Sequence, residues 1–400
     1  ERGGGGGGGK KSQCQCTVVV VHHRSMVTTQ KSSSVRKHKR RRGNWGGSFM
    51  LFFLYSSSSA LHSLTRGFTH SPTSSNIARR FGSKICWASP SPSQILDAVD
   101  SLKVDPDGFM ERIRENNEPG MTPDFLPFFV DGLSLGHIKP SFAEHLRRFP
   151  DVFAVTGDAV SLSPELASLE DRSNAVDKAT RALAAEGVIQ GWRDEPYAVK
   201  PSFLAPPSLL VDRGAAACFG VQAWGVHVNG YVDGGPGEGL LMWVAERSAT
   251  KPNYPGMLDH LVAGGQPAGL SALENVVKEC GEEAGVPAAL ARGARPVGVV
   301  SYAAVRPKGL ARETIFCYDL PLPRDFIPVA ADGEVARFRR LPLERVAALV
   351  SATRAVKPNC NLVLIDFLLR HGHLTPDNCP AYEALAAGLR APPPGCFAPN

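Results

Sequence analysis

The stretch Ala-Gly-Gly-Gln-Pro-Ala-Gly-Leu-Ser-Ala-Leu-Glu-Asn-Val-Val-Lys-Glu-Cys-Gly-Glu-Glu-Ala-Gly-Val, residues 263–286, reads as a glycine loop, a helix and a glycine stop. Ser271 lies three residues before Glu274, the spacing of a capping box, so the helix starts there. Gly285 suits the left-handed position that ends it after Ala284. Leu273, Val276, Val277 and Cys280 recur at helical spacing and predict the buried stripe. Glu279, Glu282 and Glu283 stand at i, i+3 and i+4, so the three carboxylates share a face. Carboxylates so placed repel one another. A hard divalent cation offsets that repulsion, and magnesium takes oxygen ligands and usually binds with substrate phosphates. The bland alternative is a solvated acidic face.

This stretch resembles the Nudix box, whose second half is matched here by Lys278-Glu279-Cys280-Gly281-Glu282-Glu283-Ala284-Gly285-Val286. Two positions depart from the family pattern. Lys278 stands where Arg is usual, which turns a bidentate clamp into a point contact. Leu270 stands at the first Glu, and the loop from Gly265 to Gly269 is one residue short. The similarity runs on through Trp224-Gly225-Val226-His227-Val228-Asn229-Gly230-Tyr231, Glu246-Arg247-Ser248, Tyr254-Pro255-Gly256-Met257-Leu258-Asp259-His260, Val299-Val300-Ser301-Tyr302, Phe316-Cys317-Tyr318-Asp319-Leu320 and Asp332-Gly333-Glu334-Val335. It is similar to the plant chloroplastic branch of the superfamily, related to the Nudix part of fungal thiamine pyrophosphokinase. In that branch the variant box is usual. The match covers roughly residues 92–390.

The resemblance implies an α/β fold: a Nudix-type α/β/α sandwich with a mixed sheet, preceded by a small α+β domain and a disordered leader. It implies a hydrolase of diphosphate-linked metabolites with Mg2+, or Mn2+ as alternative. It narrows the substrate to thiamine diphosphate analogues, above all the oxidised, damaged forms, cleaved to monophosphate plus phosphate in metabolite repair. Other readings are a broad hydrolase of ADP-ribose, NADH or coenzyme A, and a non-catalytic binder of a diphosphate ligand. The Pro/Trp-rich signature of NADH-type members is not seen after the box. An isopentenyl diphosphate isomerase-like activity needs a Cys just before the box, and residues 252–265 contain none.

Glu279 and Glu283, one turn apart, are the expected metal ligands, with Glu282 beside them. Gly264 and Gly265 let backbone approach a phosphate, because no Cβ intervenes. The family can take its general base from a Glu outside the box. Glu334 is the candidate here and Glu313 the reserve. Arg247 carries a guanidinium fork suited to phosphate, or to an ion pair. His227 and Asn229 alternate along one strand, so they face together and are candidates to touch the substrate. Trp224 and Tyr231 read as core, and Asp259 and His260 as a core polar pair or pocket lining.

The net charge of +6 is unevenly spread. Residues 1–90 hold 15 of the 44 Lys and Arg and one of the 38 acids, leaving 29 basic and 37 acidic residues in the body. An acidic body argues against nucleic acid as a partner. The basic, Ser-rich, acid-poor start reads as a transit leader to the chloroplast, with the mitochondrion as alternative. A nuclear-type basic tail is the other reading. The apolar run 49–55 is too short to span a bilayer, so no membrane is expected. Nine scattered Cys show no zinc spacing and suit a reducing compartment.

Four segments are therefore expected: a leader over 1–90, an α+β accessory domain over 91–218, the Nudix domain over 219–390 and a tail over 391–400. In the accessory domain, helices are expected over 93–103, 140–149 and 173–186, and another capped by Ser163. Strands are expected over 152–155, 159–162, 188–192 and 197–199, and 123–130 is Pro- and Phe-rich. This domain completes the substrate pocket, forms a homodimer interface or gives plain support. In the second domain, strands are expected over 221–232, 240–245, 261–263, 296–305, 313–320 and 335–340, and final helices over 361–371 and 381–389.

Overall fold

The computed structural model describes residues 90–117 and 125–390, which fall within a unit spanning 84–400. The leader, its glycine and basic runs, Cys14, Cys16 and the tail over 391–400 lie outside the described residues.

The first helices follow local rules. Helix α1, Pro92–Asp97, starts on a capping box between Ser91 and Gln94, with Pro at its first turn. The single helix expected over 93–103 is broken after Asp97, and Val99–Ser101 is a short 3-10 turn. Helix α2, Gly108–Asn116, was not foreseen; it puts Phe109 and Ile113 into the core.

Next comes a four-stranded sheet. The Pro- and Phe-rich segment forms a hairpin of β1, Leu126–Val130, and β2, Leu133–Ile138. Asp131 (φ 51) and Gly132 (φ 76) make its turn, both left-handed as a tight hairpin requires. Helix α3, Pro140–Leu146, follows, then β3, Phe153–Val155, and β4, Val160–Leu162. Helix α4, Leu169–Ala185, is capped by Ser168 paired with Asp171. Ser163 therefore caps nothing: the acid needed to close the box stands three residues after Ser168. No strand forms over 188–192, which is a turn around Gly191 (φ 73) with the Arg181 guanidinium 4.9 Å from the Trp192 ring. A two-stranded hairpin of β5, Pro196–Val199, and β6, Leu209–Asp212, leads into α5, Ala216–Phe219. Phe219 is the centre of this module. Its ring lies 5.1, 5.5 and 6.0 Å from those of Phe128, Phe142 and Phe153.

The second sheet has seven strands. Its spine is β7, Gln222–Asp233, a long run buried on both faces. Around it lie β8, Leu240–Arg247, β9, Leu258–Asp259, and β10, Val262–Gly265. After helix α6, Ala272–Ala284, and the short α7, Ala288–Ala291, come β11, Arg295–Arg306, β12, Gly309–Pro321, and β13, Val335–Pro342. The order is β11-β12-β7-β8-β13, with β10 on β7 and β9 on β8. Strand β12 runs parallel to β7 and the other pairs run antiparallel, so the sheet is mixed.

Alternation along β7 sorts the layers. Val226 and Val228 pack with Val276, Cys280 and Ala284 of α6. The opposite layer holds α8, Leu343–Ala352, α9, Pro358–Arg370, and α10, Tyr382–Gly388. It packs on Met242, Val244, Val300, Ile315 and Cys317. This is the expected α/β/α sandwich. Helix α8 was not foreseen. Residues of α1 and α2 join this same helical cluster rather than the Phe219 module, so the core does not divide at the boundary expected after residue 218.

Phe219 is fully buried (0%) among rings. Phe219→Ala is expected to destabilise the chain by about 3–5 kcal/mol, the cost of a cavity where an aromatic ring was. Urea unfolding followed by fluorescence checks it.

Candidate functional site

Helix α6 is fixed at both ends by its own sequence. The Ser271 hydroxyl accepts the Glu274 N–H, and the Glu274 carboxylate accepts the Ser271 N–H at 2.8 Å. Gly285 closes the helix at φ 61. Of the predicted stripe, Val276 and Cys280 are fully buried, whereas Leu273 is 44% exposed. Leu273 lies in the first turn, before the helix reaches the sheet. Asn275 takes an inward place instead, and its side-chain amide donates to the Gly265 carbonyl at 2.8 Å.

The last turn of α6 lies against β10. Glu283 is buried and accepts the Ala263 N–H at 2.9 Å. Glu279 lies over Gly264, where an added Cβ would sit 2.4 Å from the carboxyl carbon of Glu279. A Cβ on Gly265 would sit 1.9 Å from the Tyr197 hydroxyl oxygen. Both glycines are thus required for close approach of side chains. Glu282 is half exposed and held by Lys278, whose ammonium is 2.6 Å from Glu282 and 3.3 Å from Glu279. The Lys that replaces the usual Arg therefore serves two carboxylates as a point charge.

A cleft beside this turn is lined by Arg247, Asp259, His260, Glu283 and Glu334. All five were singled out in sequence, and Arg247, Glu283 and Glu334 come to it from distant positions. Burial pushes the Glu283 carboxyl up to about 8, against the Ala263 N–H bond and with the charges of Asp259, Glu279 and Glu334 adding. Burial also raises Glu279, with Lys278 opposing. Burial opposes ionisation of Glu334 too, but contact with Lys251 and the charge of Arg247 outweigh it and hold that carboxyl below its usual range. The cluster is short of positive charge at Glu283. Its donors are carboxylate oxygens, the set a hard divalent cation takes, so the residues fit magnesium or manganese.

The other predicted residues have specific places. Arg247 donates to the carbonyls of Tyr254 and Asn253 at 3.2 and 3.1 Å and to Asp259 at 3.3 Å. Its guanidinium thus binds the 248–257 loop to the sheet while lining the cleft. Glu313 is engaged by the Tyr302 hydroxyl. His227 and Asn229 do face the same way, but not into a shared open pocket. His227 packs on His260, with ring centroids 4.6 Å apart. Asn229 is fully buried and donates to Asp319 at 3.1 Å, in a network with Arg370 and His371. Both are buried on the face of β7 that α9 covers, so the expectation that they touch substrate finds neither of them exposed. Tyr231 also lies on that face, against Phe367 and His371. Trp224 faces the α6 side and is only partly buried.

The first module was expected to complete the pocket, to form a dimer interface or to give support, but the residues it brings near the glycine loop were not named. The Phe203 ring lies 4.6 Å from that of Phe316 and 6.0 Å from that of Trp224, and the Lys200 ammonium lies 5.4 Å from the Trp224 ring. Tyr197 and Arg213, from β5 and the loop after β6, reach Gly265. The aromatics of residues 197–203 were the available signal.

A family model described as a domain of unknown function, DUF4743, matches residues 108–223. The chain is 44% identical over 286 residues to "Nudix hydrolase 24, chloroplastic" of Arabidopsis thaliana, a match that covers 71% of this chain and 78% of that protein. It is 44% identical over 281 residues to "Nudix hydrolase 20, chloroplastic" of the same plant, covering 68% and 75%. Among solved structures, a MutT protein from Methanosarcina mazei is 16% identical with a TM-score of 0.29, covering 38% of this chain and 94% of that one.

A carboxyl raised in the fold costs stability as pH climbs from its unfolded value near 4.5 through about 8, because over that window the folded state holds the extra proton. The metal-free chain is expected to melt at lower temperature at pH 9 than at pH 6. Glu283→Gln is expected to flatten that slope, as is added magnesium. Melting curves in chelator against pH check it, and an unchanged slope in Glu283→Gln would refute the burial argument.

Proposed function

The chain belongs to the Nudix hydrolases and is a pyrophosphohydrolase, and on that premise we propose that it is a magnesium-dependent diphosphatase of thiamine diphosphate analogues, the oxidised forms above all, yielding monophosphate and phosphate. Manganese is the alternative ion. Its compartment is the chloroplast, as for both plant relatives by name. Among the described residues no helix is long and apolar enough to cross a membrane.

The observation that carries this reading is the buried Glu283 beside Glu279, one turn apart on α6 and against the Gly264–Gly265 backbone. Glu279 and Glu283 would hold the ion, with Glu282 at the exposed edge. The chemistry a bound magnesium ion supplies is charge neutralisation on the diphosphate and a more acidic water. Glu334 lines the same cleft and is ionised at neutral pH, so it can take the proton from the attacking water. Lys251 holds that carboxylate in place. Arg247 orients the cleft wall through Asp259 and offers its cationic edge to a phosphate oxygen.

The organic part of the substrate is assigned to the partly buried rings of Phe203, Trp224 and Phe316, on the α6 side of the sheet. The Lys200 ammonium already lies over the Phe203 and Trp224 rings through cation–π attraction, which disfavours a second positive charge there. The first module supplies Phe203 and Lys200, which gives it a part in substrate choice.

The test is turnover by the purified chain with magnesium of thiamine diphosphate, its oxo and oxy forms, ADP-ribose, NADH and coenzyme A. Preferential conversion of the oxidised thiamine diphosphates is expected. Turnover mainly of ADP-ribose or NADH would overturn the substrate assignment. Glu283→Gln and Glu334→Gln are each expected to lower kcat by roughly 100-fold or more. Trp224→Ala is expected to raise KM roughly 2- to 10-fold with kcat little changed, the mark of lost uniform binding.

A further inference from the structure

We propose that His227, His260 and Cys360, completed by Asp259, form a closed structural zinc site that ties α9 to the central strand of the sheet. The three ligands come from three elements. His227 lies on β7, His260 between β9 and β10, and Cys360 in the first turn of α9. Their candidate ligand atoms all lie within 4.8 Å of one another. Bonds of about 2.0–2.3 Å at tetrahedral angles put zinc ligands about 3.3–3.8 Å apart, so binding draws these atoms together by about 1 Å.

Two further observations point to a ligand. First, all three side chains are sealed from solvent: His227 is 4% exposed, and His260 and Cys360 are 0%. Second, among the described residues, both ring nitrogens of His260 and Nδ1 of His227 have no hydrogen-bond partner. A buried imidazole with neither nitrogen satisfied is costly, and such groups are rare in folded proteins. A cation among them satisfies both rings at once.

Asp259 lies beside two of the three, Cys360 and His260. Its Oδ2 faces Arg247 at 3.3 Å and Lys357 at 3.6 Å. Its Oδ1 accepts the Cys360 thiol at 2.7 Å and lies 3.6 Å from Nδ1 of His260. On binding, the sulfur–hydrogen bond breaks, the proton leaves to solvent and the thiolate joins the ion. One thiolate and one carboxylate offset its double charge, and Arg247 and Lys357 remain as further positive charge beside Asp259. Two nitrogens, one sulfur and one oxygen suit zinc and not magnesium, which asks for oxygens. This site is thus chemically distinct from the carboxylates of α6. Asp259 and His260 also line the cleft. With no open ligand position, the role is to hold α9 on the sheet.

The full chain, purified from zinc-supplemented culture, is expected to retain about one zinc per molecule by plasma mass spectrometry. After chelation, cobalt(II) is expected to give a thiolate-to-cobalt charge-transfer band and the strong visible bands of a tetrahedral site. Cys360→Ser abolishes the thiolate band; Cys379→Ser, a buried thiol elsewhere in the helical core, keeps it. Glu279→Gln keeps the zinc, which separates this site from the carboxylates of α6. A folded wild-type chain that retains no zinc and gives no thiolate band with cobalt overturns the proposal. So does a band that persists in Cys360→Ser. If Cys360→Ser does not fold, the wild-type cobalt spectrum alone decides.

Discussion

The contact between the last turn of α6 and strand β10 is the constraint on which the rest depends. Glu283 gives up water to accept the Ala263 N–H, and Glu279 fills the space that a side chain at 264 would occupy. Burying a carboxylate among other carboxylates is unfavourable unless a cation or a proton compensates. The fold accepts that cost at the turn proposed to hold the ion. The capping box at Ser271 and the left-handed Gly285 fix the helix so that the turn cannot slide away from the strand.

Around this contact the two modules have different tasks. The seven-stranded sheet sets the register that delivers Gly264 and Gly265 opposite Val226 and Gly225. The module built on Phe219 brings a hairpin over the glycine loop and an aromatic ring beside Trp224. Lys139 and Lys308 fasten it further through bonds to backbone carbonyls across the boundary. A small displacement of this module would change the wall of the proposed substrate site without touching the carboxylates.

Much of the site was legible in sequence because its signals are local. Caps, a glycine stop and i, i+4 carboxylates depend on residues within one turn of each other, and α6 runs over the residues those signals name. Glu334 was legible only through family resemblance, and it does line the cleft with Glu283. What sequence could not give was long-range. Nothing near Gly265 announces that Tyr197 will stand over it, some seventy residues earlier in the chain. Asn229 shows the limit of strand alternation. Facing the same way as His227 was correct, but which layer covers that face is decided by α9. Ser163 was named as a cap, but the helix starts on Ser168, where Asp171 closes the box.

The most direct measurement is anomalous scattering from crystals of the chain soaked in manganese. The account requires a strong peak between the carboxylates of Glu279 and Glu283, beside the Gly264 backbone. A manganese peak elsewhere, with those two carboxylates left without an ion at saturating metal, would contradict it.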